Sequence, residues 1–70
     1  MSSVEYAAEV REGKPCVVKY RLRKCNEWVN HRIPVKIREV FRNEQNRWKF
    51  SDSDEFLPKE LAASMNRIVK

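Results

Sequence analysis

A chain of 70 residues has the length of one small domain, predicted to span residues 1–70, and folding buries only about 60–65% of the surface exposed by the unfolded chain. Little room remains for an enclosed active-site cavity. Charged residues make up 36% of the chain and hydrophobic residues 41%, and the aromatic and β-branched content excludes a disordered tail.

The net charge of +5 is concentrated in the middle of the chain. Between Lys14 and Lys49 there are eleven basic and three acidic residues, whereas the segments on either side are slightly acidic. A concentrated positive field attracts nucleic acid, an anionic membrane or an acidic protein surface. Because no stretch approaches the roughly 18 apolar residues of a membrane span, and the N-terminus lacks an apolar signal-peptide core, we expect a cytoplasmic protein with no membrane partner.

The first predicted strand covers about residues 4–11. Apolar side chains alternate with mostly polar ones along it: Val4, Tyr6, Ala8 and Val10. A turn is expected over residues 12–15, where Gly13 is free to adopt positive φ. Folding the chain back about Gly13 sets three pairs on one apolar face: Val10 with Cys16, Ala8 with Val18, and Tyr6 with Tyr20.

The second predicted strand, about residues 16–24, is half apolar and half cationic. Val18, Tyr20 and Leu22 point to one face, because side chains alternate along a strand. Lys19, Arg21 and Arg23 point to the other. The same alternation recurs in the predicted strands at about residues 33–42 and 47–51.

The segment at 33–42 also fits a helix over residues 34–45, with Pro34 at the first helical position. We favour a strand because four of its ten residues are β-branched. The strand places four side chains on the apolar face: Ile33, Val35, Ile37 and Phe41. A four-residue loop over 43–46 then sets Phe41 opposite Trp48 and Arg42 opposite Arg47.

A C-terminal helix is predicted at about residues 57–69. Its apolar stripe has helical spacing: Leu57, Leu61, Met65 and Ile68. With no second helix available, this stripe is expected to cover the apolar face of the sheet. The predicted fold class is therefore α+β, an antiparallel β-meander of about four strands with one C-terminal α-helix packed on one face.

On the face away from the predicted core, the strands form a lattice of eight cations: Lys19, Arg21, Arg23, Lys36, Arg38, Arg42, Arg47 and Lys49. A merely solvated face usually mixes both signs of charge, and this one does not. The lattice predicts a small regulatory or accessory protein that binds nucleic acid, with duplex DNA favoured over RNA. The alternative is a small adaptor or inhibitor that docks the same face on an acidic protein surface.

The remaining candidate site residues indicate neither a metal site nor a catalytic site. Trp28 and His31 lie in a polar segment and are candidates for base stacking, whereas the other aromatic residues are assigned to the core. Cys16, Cys25 and His31 are too few and too far apart for a zinc site, and we expect reduced thiols, no metal and no cofactor. Glu39 is expected to form a salt bridge or to lie at an exposed strand end. No nucleophile has an evident base, so the chain is predicted not to be an enzyme.

Overall fold

The computed structural model describes residues 3–24 and 30–69. Four antiparallel strands in the order β1-β2-β3-β4 and one C-terminal helix confirm the predicted α+β meander. The observed third strand shows that the alternative helix over residues 34–45 is wrong. The elements are β1 Ser3–Arg11, β2 Lys14–Lys24, β3 Asn30–Arg42, β4 Trp48–Phe50 and α1 Lys59–Ile68.

The turn between β1 and β2 is shorter than predicted. Its two central residues, Glu12 and Gly13, both have positive φ, at 52° and 77°. This is the geometry of a two-residue type I′ hairpin turn, whose twist matches that of the flanking strands. Ala8 therefore pairs with Val17 and not with Val18, and the predicted register is wrong by one residue. A slip of one residue exchanges the two faces of a strand.

The main core lies between the helix and the face of β2 that bears Val17, so the predicted apolar face was the wrong one. Its buried residues are Val17, Val40, Trp48, Phe50, Leu57 and Met65. We call this side of the sheet the helix-side face and the other side the opposite face. Because Val17 lies on the helix-side face, the cations that alternate with the apolar residues of β2 lie there too.

The helix begins at Lys59, so Leu57 packs on the core from the segment before it. Met65 is completely buried, whereas Ile68 is 48% exposed and does not belong to the buried stripe. Side chains that are only partly buried complete the packing around this core: Ala8, Leu61, Ala62 and Val69.

The opposite face buries Cys16, Val18 and Tyr20 without a covering helix in the part of the chain that the structure describes. The hydroxyl of Tyr20 donates a hydrogen bond to Glu9 and accepts one from Arg11. Glu9 pairs with Cys16, four residues before Tyr20 in β2, so the tyrosine ring must extend along the strand over Val18. The Tyr20 ring therefore covers Val18 where no described helix does.

Arg32 forms a second layer over this aromatic ring. Its guanidinium lies 4.2 Å from the centre of the Tyr20 ring and forms an ion pair with Glu5 at 3.3 Å. A cation over an aromatic face is attracted by the ring quadrupole, and it screens the ring from water. The part of the opposite face around Val18 and Tyr20 is thus covered by side chains of the sheet itself.

The loop between β3 and β4 spans five residues, 43–47, where four were predicted. The side chain of Asn43 accepts a hydrogen bond from the backbone of Arg47 at 2.8 Å and holds the loop closed. Phe41 pairs with Lys49 and Arg42 with Trp48, so the predicted Phe41–Trp48 pair is wrong. Phe41 is consequently 44% exposed on the opposite face.

A bulge opposite Lys19 and Tyr20 interrupts the alternation of β3. Ile33 pairs with Arg21 on the helix-side face, whereas Ile37 pairs with Val18 on the opposite face. An extra residue in one strand shifts its alternation by one position. The predicted common face for these two isoleucines is therefore wrong, and they are 40% and 51% exposed.

Candidate nucleic-acid interface

The acidic side chains of the four described strands all lie on one face of the sheet. Glu5, Glu9 and Glu39 all project from the opposite face. No strand carboxylate lies on the helix-side face within the described ranges. Its strand cations are Lys19, Arg21, Arg23, Lys36, Arg38 and Arg42. The strands themselves therefore contribute only positive charge to this face.

Arg38 lies where the helix-covered core ends, and it is already engaged. Its guanidinium stacks 3.8 Å from the ring centre of Phe50 and donates hydrogen bonds to Asp52 at 2.6 and 3.0 Å. These hydrogen bonds hold the pKa of the Asp52 carboxyl below its ordinary value and raise that of Arg38. Arg38 is thus a fixed, locally neutralised part of the surface.

Arg42 is held in the same manner at the covered end. Its guanidinium lies 4.8 Å from the ring centre of Trp48 and donates a 2.7 Å hydrogen bond to the side-chain oxygen of Asn66. The indole N–H of Trp48 donates to the same oxygen at 2.8 Å. Arg42 therefore joins the sheet to the helix and is not available as a simple phosphate contact.

The last two cations of the predicted lattice do not share a face with the others. Lys49 lies opposite Phe41 on the opposite face and forms a 3.5 Å ion pair with Asp54. Arg47 and Lys49 both approach the ring of Phe56, at 3.9 and 5.3 Å from its centre. The structure therefore divides the predicted eight-residue lattice into separate groups.

Four cations remain on the helix-side face, and we call them the open cations: Lys19, Arg21, Arg23 and Lys36. Among the described residues, none of them forms an ion pair or a side-chain hydrogen bond. Lys19 lies directly opposite Lys36, and the span from Lys19 to Arg23 is about 13 Å at strand spacing. They follow the β2–β3 hairpin away from the core, in a molecule 46 Å long and 23 Å wide.

Tyr6 also belongs to this surface, and its predicted place in the core is wrong. The observed register sets Tyr6 opposite Lys19, which is itself opposite Lys36. The tyrosine is 55% exposed. The signal that could have located it is the two-residue turn at Glu12 and Gly13, because that turn determines which β1 side chains share a face with the cations.

His31, a predicted stacking residue, is exposed and pairs with Arg23 at the far end of the same face. Trp28, the other stacking candidate, and Cys25 lie outside the described residues. Cys16 is a buried free thiol whose pKa is raised by burial. Glu39 forms the expected salt bridge, to Lys14 at 3.7 Å.

Residues 3–24 and 30–69 contain no group of three or more His, Cys, Asp or Glu side chains arranged to hold a metal ion. No described helix combines the length and the apolar character needed to cross a membrane. No family model, curated protein or solved structure shows significant similarity to this chain.

Proposed function

We propose that this protein binds nucleic acid through the four open cations. The proposal is supported chiefly by one observation: the helix-side face bears no strand carboxylate in its described part, and four of its cations lie beyond the helix with no ion-pair or side-chain hydrogen-bond partner among residues 3–24 and 30–69. Lys and Arg side chains in this state are available to replace the counterions of a phosphate backbone.

The arrangement of charge favours a polyanion over general solvation. The opposite face mixes both signs, and its carboxylates are paired with cations: Glu5 with Arg32, Glu9 with Arg11, and Glu39 with Lys14. Like charges directly opposite in a sheet are destabilising. Lys19 and Lys36 are opposed in this way, and a bound phosphate would relieve their repulsion.

Fluorescence anisotropy with labelled duplex DNA, single-stranded DNA and RNA at low and high salt tests the proposal. Binding to at least one probe is expected. Four neutralised phosphates give a slope of log K against log salt of about −3 to −4. Binding that is insensitive to salt would contradict contacts with phosphates.

A pair of double variants with equal change of net charge locates the site. Lys19→Ala with Arg21→Ala should weaken binding, whereas Lys59→Ala with Arg67→Ala on the helix should leave it nearly unchanged. If no probe binds at low salt, nucleic-acid binding is refuted. Capture of an acidic protein dependent on Lys19 and Arg21 would then support the adaptor function instead.

A further inference from the structure

A shallow pocket lies at the boundary between the covered core and the open cations. Its volume is about 130 Å³, and it is lined by Tyr6, Val17, Lys19, Lys36, Arg38 and Phe50. We call it the Tyr6 pocket. Val17 and Phe50 are only 2% and 6% exposed, so the floor is apolar and rigidly packed against the core. The rim is cationic.

We propose that the Tyr6 pocket accepts one unpaired base, so that the nucleic acid bound by this protein is single-stranded. This inference rests on the proposed function and specifies its ligand. Aromatic side chains within a positively charged groove are the combination by which proteins hold single strands without reading their sequence. Tyr6 supplies the aromatic surface, and Lys19 and Lys36 supply the charge.

The neighbouring contacts decide which ring is available for stacking. Phe50 is 6% exposed, and its ring face is occupied by the Arg38 guanidinium at 3.8 Å. Tyr6 is 55% exposed, and no side-chain hydrogen bond joins it to another described residue. A base entering the pocket therefore stacks on Tyr6, with Arg38 as a fixed wall held by Asp52.

The charges around Tyr6 also set the path of the backbone. On one side lie Lys19 and Lys36, and β2 continues from there to Arg21. On the other side, the start of the helix places Leu61 and the acidic Glu60 along a second surface pocket that Tyr6 also lines. Phosphates are repelled from the acidic side, so the backbone follows β2 along the open cations.

A base within a duplex is stacked on both faces and must be extruded before it can enter such a pocket. Duplex phosphates still reach the open cations, so duplex binding should be weaker but not absent. The difference between single strand and duplex therefore measures occupation of the Tyr6 pocket, whereas salt-dependent binding of either measures the cations.

The test compares labelled oligothymidylate and oligouridylate of about 12 nucleotides with a duplex of equal length. The wild type should bind at least one single strand more tightly than the duplex. Tyr6→Ala should lower single-strand affinity about tenfold or more and leave duplex affinity within about twofold. Tyr6→Trp should retain single-strand binding, because it keeps an aromatic face.

Phe41→Ala is the matched control, since Phe41 is 44% exposed on the opposite face. It should change neither affinity, and thermal unfolding should show that every variant is folded. Equal affinity for single strand and duplex, or an equal effect of Tyr6→Ala on both, would overturn the base-pocket inference and leave the proposed function standing. Absence of binding to all probes would overturn both.

Discussion

The two ends of the helix-side face are built from the same strands and differ in what covers them. At one end Val17 and Val40 are buried beneath the helix, and Arg42 is fixed between an indole ring and a helix side chain. At the other end, beginning with Lys19 and Lys36, the strands continue without that cover. A cation on this face is therefore structural where neighbouring side chains hold it, as they hold Arg38 and Arg42, and available at the open cations.

The largest expected difference between the two ends is in how much a substitution lowers the free energy of unfolding. Met65 is fully buried at the covered end, and Met65→Ala should lower the free energy of unfolding by about 2–5 kcal/mol. Lys36→Ala at the open end should leave it unchanged or raise it slightly, because it removes repulsion from Lys19. Chemical denaturation measures both, and equal destabilisation would show that the open end is also part of the core.

A second comparison tests how the opposite face is closed without a helix. Tyr20→Phe removes the hydroxyl that bonds to Glu9 and Arg11, and it should cost about 1 kcal/mol of unfolding free energy. Tyr6→Phe removes a hydroxyl from an exposed ring and should have little effect. If both substitutions prove neutral in denaturation experiments, the Tyr20 network does not secure that face.

The smallest effect on stability is expected from the Arg38–Asp52 contact, which lies at the boundary between the covered and the open end. The folded-state pKa of Asp52 is lowered, so the contact stabilises the protein above the ordinary carboxyl pKa of about 3.9. This contribution is lost as pH falls through the lowered pKa of the folded state. The Tm advantage of the wild type over Asp52→Asn should therefore shrink on acidification. An advantage that persists at the lowest pH would contradict this linkage.

Much of the fold follows from alternation alone. Strands β2 and β3 and the separation of Val18 from Lys19 are predictable, because side chains along a strand alternate with a period of two. The C-terminal helix is predictable from the helical spacing of its apolar residues. The same period of two puts Val17 and Val40 on the side of the cations. The observed structure makes them the centre of the core.

The face covered by the helix could not be predicted from β2, because apolar residues occur on both sides of it. Val18 and Tyr20 belong to the more regular apolar pattern, yet the Tyr20 ring, and not the helix, covers Val18. The registers depended on turn lengths that composition did not reveal: two residues at Glu12 and Gly13, and five at 43–47. The Tyr6 pocket could not be predicted for the same reason, since only the correct register brings Tyr6 beside Lys19.

Two triple variants with the same loss of charge test most directly whether binding depends on the open cations and not on the cations that other side chains already engage. One replaces Lys19, Arg21 and Lys36 by Ala, and the other replaces Arg42, Arg47 and Lys49 by Ala. We would measure the affinity of each folded variant for a single-stranded oligonucleotide as a function of salt.

The first variant should lose most of its affinity, and its salt slope should fall from about −3 to about −1, because one open cation remains. The second variant should bind within about threefold of the wild type with an unchanged slope. Equal losses in the two variants would contradict the distinction between open and engaged cations, since binding would then follow total charge and not the open cations.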